Sequence, residues 1–261
     1  MTDRKLAHRS VSQHNTYAQC GYRYKLEKLD GVWQRPAAWL SQGTAVHAAL
    51  EAWERSNRTM SLEDMQAVFV DEYAKSINEM AETTPNFDYW FASGPYKGMA
   101  DIERRYGIGL EQCEKLVDWY EKHPEERIWV TPDGEPAIEL GFEITLDGVL
   151  VKGFIDCVME TPDGLVVRDL KTGNMPGDEF QLATYAAAMK VKYGVDIVQG
   201  DYLMGKTGKP TLLYDLSDTP VEAVASAFKE LDENVKSGLF PVNPGDHCRF
   251  CSVATSCEFA R

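Results

Sequence analysis

The apolar residues of this chain change their spacing near its middle, and that change limits the folds open to it. Up to Pro124 they recur every three or four residues; from Ala137 onward they alternate. The first part reads as four helices. One covers residues 10–29, with Ser10 or Ser12 as N-cap and Tyr17, Cys20 and Tyr24 at helical spacing. The others cover 41–55, 61–82 with Ser61 as cap, and 100–123; the Pro- and Gly-containing stretch 83–98 is a loop. In the second part, Ile138, Leu140, Phe142, Ile144 and Leu146 alternate with polar residues as one strand, and Asp147-Gly148 signals a hairpin turn. Residues 149–160 and 165–172 follow as two more strands. A helix over 178–193, a hairpin over 196–216 and a helix ending at Gly238 complete the order.

Helices, meandering strands, a helix, strands and a helix predict an α/β fold with a helical N-terminal layer and a cysteine-bearing tail. No segment reads as a linker, so residues 1–261 are expected to form one domain. Its parts are a mainly helical 1–125, an α/β core at 136–237 and a tail at 238–261. The polar N-terminus has no signal-peptide core, and no apolar run is as long as a membrane span. A cytoplasmic protein with reduced thiols is expected, in which six cysteines point to metal binding or burial before disulfides. The net charge of −14 speaks against a general nucleic-acid coat, though not against a nucleic-acid enzyme with a local basic groove.

One acid stands out. Asp156 lies inside the apolar run "GFIDCVME", where a carboxylate costs free energy unless a cation or hydrogen bonds compensate it. The hairpin to the next strand brings Asp156 beside Asp169 of "VRDLKTG". Two such carboxylates favour a hard divalent cation between them. Asp169 and Lys171 share a strand face, where alone they read as an ion pair. Next to a cation, Lys171 can help orient or deprotonate water, and the carbonyl of Leu170 is a further oxygen donor. Gln181 and Tyr185 share a helix face, which alone reads as a solvated polar pair. His47 sits on an apolar helix face, where a hydrogen-bonded core histidine is the ordinary reading.

Taken in order, His47, Gly153-x-x-Asp156, Asp169-x-Lys171 and Gln181-x-x-x-Tyr185 resemble the RecB-like branch of the PD-(D/E)XK nuclease superfamily. The resemblance implies a restriction-endonuclease-like core, a mixed sheet flanked by helices. It implies Mg²⁺ or Mn²⁺ held by His47, Asp156, Asp169 and the Leu170 carbonyl, with Lys171 in catalysis. It implies that Gln181 and Tyr185 support the site and the DNA. Glu139 matches an acidic position on the preceding strand, with an outer or second-metal role.

The same resemblance bears on the tail, "HCRFCSVATSCEFAR". Iron–sulfur members, the CRISPR-associated RecB-like exonucleases and AddB-type domains, join one N-terminal cysteine to three at the C-terminus. Cys20, Cys248, Cys251 and Cys257 match those ligands of a 4Fe–4S cluster, with Gly21 where the family often has proline. Spacing alone leaves zinc open as the occupant. Cys113 and Cys157 read as core residues. The implied activity is exonucleolytic cleavage of single-stranded DNA or DNA ends, with a recombination, repair or CRISPR-adaptation protein as partner. The alternatives are a non-catalytic DNA-binding or adaptor subunit of the same fold, and a zinc-containing endonuclease.

Overall fold

A computed structural model describes residues 7–260. The N-terminal part contains α1 (Val11–Gln19), α2 (Gly21–Tyr24) with a π-helical turn over Lys25–Asp30, α3 (Ala38–Arg55), α4 (Leu62–Thr83) and α5 (Met99–Lys122). A short β1 (Arg127–Ile128) leads to β2 (Ile138–Leu146), β3 (Val149–Thr161) and β4 (Gly164–Lys171). Then come α6 (Glu179–Tyr193), β5 (Gln199–Met204), β6 (Lys209–Pro210), β7 (Tyr214–Asp215) and α7 (Val221–Ser237).

Among the described residues, all seven strands join one mixed sheet. Its path runs β1-β3-β4-β5-β6, with β2 also on β3 and β7 also on β5; β4–β5 is the parallel pair. Helix α6 is the crossover between those two parallel strands, as parallel pairing requires. One apolar layer, including Leu140, Phe142, Val151, Leu182 and Phe228, joins the sheet to α6 and α7. A second, including Val46, Leu50, Phe69, Leu116, Cys157 and Leu170, joins the opposite face to α3, α4 and α5. The sheet is thus flanked by helices on both faces, the α/β architecture expected from the sequence. Cys113 and Cys157 are core residues.

Three local features differ from the periodicity reading. The single helix expected over 10–29 breaks at Cys20, which is extended (φ −165°, ψ 112°); Ser10 is the N-cap of its first part. The break lets the chain turn against the C-terminal segment, so closely that a Cβ on Gly21 would lie 2.6 Å from Pro241 Cδ. The second arm of the expected second hairpin splits into two very short strands that both pair with β5, its first arm. The alternation of β2 also does not keep one face. Ile138 packs in the α3–α5 layer and Leu140 in the α6–α7 layer, because Glu139 between them has φ 46°. Their partners on β3, Cys157 and Ile155, divide between the layers in the same way.

Candidate active site

The point where β2 and β3 change faces is where the polar side chains converge. The pairs Ile138–Cys157 and Leu140–Ile155 put Glu139 opposite Asp156. Opposed residues of an antiparallel pair reach the same side of the sheet, and like charges there repel. Helix α3 supplies the counter-charge. Its apolar face (Ala45, Val46, Ala49, Leu50) is buried, which fixes the rotation that aims His47 at the strands. His47 Nδ1 lies 3.0 Å from Glu139 Oε1 and 3.4 Å from Asp156 Oδ2. Its Nε2 donates to the Leu170 carbonyl at 3.0 Å. Burial opposes a charge on this ring, but Asp156 and Glu139 outweigh it and push the pKa up to about 9. Without a metal, His47 is therefore an imidazolium that neutralises part of the carboxylate repulsion.

One donor atom from each of His47, Glu139 and Asp156 lies within 4.8 Å of the others. Asp156 Oδ2 also accepts the Leu170 N–H at 3.0 Å, which ties β3 to β4 across the site. Burial raises the pKa of this carboxyl, and Glu139 adds to the shift. An imidazole with two carboxylates is a donor set able to hold a divalent metal ion.

Asp169 stands next to this group, with its hydrogen-bond partners on α6. It is buried, and its oxygens face α6 and Lys171. Lys171 Nζ is 2.7 Å from Asp169 Oδ2. Gln181 Nε2 and the Tyr185 hydroxyl both donate to Oδ1. Burial and the charge of Asp156 push the Asp169 pKa up to about 6 despite Lys171. Gln181 Oε1 accepts from Lys171 Nζ at 2.9 Å, so one amide orients both acid and base. Gln181 and Tyr185 are thus not a solvated pair: Tyr185 is buried and Gln181 half-buried.

Residues that sequence reasoning passed over complete the support. Lys171 Nζ lies over the Tyr202 ring, 5.3 Å from its centroid. Buried Gln112 of α5 donates to the Thr172 carbonyl at 2.9 Å and accepts from Gln42 of α3 at 2.7 Å, holding the chain that leaves β4. Two glutamines on apolar helix faces were the only signal. Several basic side chains pair with acids close by in sequence. Arg104 and Arg105 turn to Asp101, Arg23 to Glu27, Lys25 to Asp30 and Lys190 to Asp196.

The four cysteines of the terminal motif are free thiols in segments that clasp each other. Tyr22 N–H donates to the Pro241 carbonyl, and the Tyr17 hydroxyl to that of Leu239 at 2.7 Å. Asn243 donates to the Gln19 carbonyl, and the Ser252 hydroxyl to Glu27. Cys251 and Cys257 pack with Leu26, Tyr22 and Val253 in a small apolar cluster. Cys20 caps α2, accepting the Arg23 N–H, and Cys248 accepts from Gly245 N–H. Burial pushes the Cys251 thiol up from its usual range.

A family model of the PD-(D/E)XK nuclease superfamily matches residues 8–258. The chain belongs to this superfamily. Two mycobacteriophage proteins are similar over 98% of this chain. The Gene 69 protein of Mycobacterium phage D29 is 50% identical over 266 residues and 98% of its own length. The Gene 69 protein of Mycobacterium phage L5 is 47% identical over 287 residues and 99% of its length. Among solved structures, that of SSO0001 is similar over 61% of this chain and 79% of its own, with 13% identity; its TM-score of 0.34 is too low to bear on function. Membership in the PD-(D/E)XK superfamily supports a metal-dependent nuclease with DNA as substrate, and the His47–Glu139–Asp156 group is a suitable place for such a metal. Among the described residues no helix is long and apolar enough to cross a membrane.

Proposed function

We propose that this protein is a RecB-like DNA exonuclease that acts on single strands or strand ends. The observation that carries the reading is the adjacency of two groups. His47, Glu139 and Asp156 offer metal donors, while Lys171, Asp169, Gln181 and Tyr185 form a continuous hydrogen-bonded chain beside them. A divalent ion, Mg²⁺ or Mn²⁺, would be held by His47, Asp156 and Glu139, with Asp169 and the Leu170 carbonyl at its edge. Bound there, it supplies Lewis-acid stabilisation of the charge that builds on the scissile phosphate. His47 must release its Nδ1 proton to serve as a donor. Lys171 orients the attacking water and takes up or yields a proton at Nζ, with Gln181 fixing its direction. Asp169 pairs with Lys171, and Tyr185 holds Asp169 in place.

Cys20, Cys248, Cys251 and Cys257 are proposed to hold a 4Fe–4S cluster that fastens the chain ends; four free thiols in clasped segments fit such a group. Residues 1–261 then act as one nuclease domain, with α3 of the helical part contributing His47. An adaptor role fits less well, because every position of the motif set is filled by a residue able to do its chemistry. Two phage-encoded relatives support a place in phage recombination among the pathways considered.

The test is cleavage of end-labelled single- and double-stranded DNA with Mn²⁺. Wild type should degrade linear strands and leave closed circles intact, while Asp169→Ala and Lys171→Ala should be inactive. Absence of cleavage by wild type, or equal cleavage by the variants, would sink the reading. Iron content with a brown colour is expected; a colourless protein carrying zinc overturns the cluster assignment.

A further inference from the structure

Strand β3 is longer than its partner β4. The β3–β4 ladder runs from Cys157–Arg168 to Thr161–Gly164. At the other end of that strand, Arg9 bridges to Val151: Arg9 N–H donates to the Leu150 carbonyl and Lys152 N–H to that of Arg9. Between them, among the described residues, Gly153–Asp156 carry no strand partner other than β2. A cleft of about 520 Å³ opens beside Gly153 and Phe154 of this stretch. Ser10, Ser12, Gly153, Phe154, Lys171 and Gln181 are among the residues that line it. That volume falls within the range of small-ligand sites.

Phe154 is the unusual feature. It is 64% exposed at the centre of the longest strand, the only exposed aromatic of β2–β5 among the described residues. Burial drives aromatic side chains inward, so an open ring beside polar catalytic groups points to a partner that covers it. It stands two residues from Asp156, about 7 Å along the strand. Its ring lies across Gly141: a Cβ at that glycine would come within 3.4 Å of Phe154 Cε1. Gly153 likewise leaves room for the Phe142 ring, whose Cζ would be 2.8 Å from an added Cβ. Gly153 thus makes room for the buried Phe142 ring, while Phe154 lies open beside Gly141.

We propose that this cleft is a nucleotide subsite in which Phe154 stacks on the base adjoining the bond that is cut. The proposal rests on the nuclease reading above and adds the residue that would select an unpaired base. A base can lie flat on Phe154 only when it is unstacked and unpaired, so the preferred substrate is a single strand or the frayed end of a duplex. The ring is sequence-tolerant, because every base has a flat face.

The experiment uses the full-length protein and single-stranded oligonucleotides in two arms. In the first, 2-aminopurine is placed at each position in turn and its fluorescence is read on binding in Ca²⁺. In the second, an abasic residue is scanned through the same strand and cleavage is read in Mn²⁺. Wild type should show a fluorescence change and a cleavage defect at one position. Phe154→Leu, which keeps an apolar residue in the strand, should lose both, and Phe154→Trp should regain them. Phe154→Ala should weaken binding of the intact strand about tenfold. Flat profiles in a protein that binds and cleaves DNA overturn the platform and leave the nuclease reading standing. So do profiles that Phe154→Leu leaves unchanged. A position-specific signal without cleavage supports the platform and overturns the nuclease reading. Absence of DNA binding overturns both.

Discussion

Glu139 faces Asp156 across the β2–β3 ladder, and it does so with a left-handed backbone, φ 46°. Such a conformation is uncommon for a side chain with a Cβ, and holding two carboxylates together is itself unfavourable. His47 offsets that repulsion in the metal-free protein, and a divalent cation would offset it further. Glu139→Gln should therefore melt at or above the wild-type temperature without metal. It should lose most of the stabilisation by Mn²⁺, which for wild type is about 2.7 kcal/mol at a concentration near 100 Kd. Thermal melts with and without Mn²⁺ check this; an undiminished Mn²⁺ shift in the variant contradicts it.

His47 makes both stability and metal binding pH-dependent. Its pKa rises from the model-peptide value of about 6.5 to about 9 in the folded, metal-free protein. A raised pKa means stability that is fully present below the unfolded value and lost as pH climbs through the folded one. The urea midpoint of wild type relative to His47→Asn should fall between pH 6 and pH 9.5. Metal must displace the same proton, so Mn²⁺ affinity should rise with pH over that window by up to about tenfold per unit. Titrations at three pH values decide it.

Gln181 touches Lys171, Asp169 and Tyr185 but none of the three clustered metal donors. Gln181→Leu should cut the cleavage rate by about 10²-fold through misplacement of Lys171. Mn²⁺ affinity should stay near that of wild type. A loss of metal binding equal to the loss of rate would mean that Gln181 acts on the metal site itself.

Behind the site, buried Arg168 pairs with Asp201 through two nitrogens and with Glu126. Arg168→Met leaves both acids without their cation and should cost about 3–5 kcal/mol, read from urea unfolding. Burial alone would raise the Glu126 pKa, but Arg168 holds it below the usual range. That contribution is present above the unfolded carboxylate pKa and disappears as pH falls through the folded one. Acid should therefore narrow the difference between wild type and Arg168→Met.

The cysteine clasp is expected to separate from the chemistry. Cys251→Ser should lower both iron content and melting temperature, whereas Cys113→Ala, deep in the α3–α5 layer, should keep its iron. Equal iron loss in both would contradict a cluster at the chain ends.

Much of this was legible in the residue order. An acid inside "GFIDCVME" marked Asp156, and the two-residue spacing of Asp169 and Lys171 predicted the shared face that their 2.7 Å contact displays. Helix caps such as Ser61 and the Asp147-Gly148 turn are local chemistry, which sequence carries well. The position of Glu139 was not legible. Alternation put it on the polar face of an ordinary strand, whereas a single positive φ exchanges the layers on either side of it. That dihedral depends on packing against two different helical layers.

What the sequence by itself determined was the set of groups and their local geometry: period, caps, turns, and which side chains share a face. Only the tertiary structure decided which of them meet. His47 reaches Glu139 and Leu170 from 92 and 123 positions away, and Asp169 meets Gln181 and Tyr185 of α6. Side-chain spacing along one element follows from its backbone repeat. Contacts between elements depend on how apolar faces bury against each other, and that is a property of the whole chain.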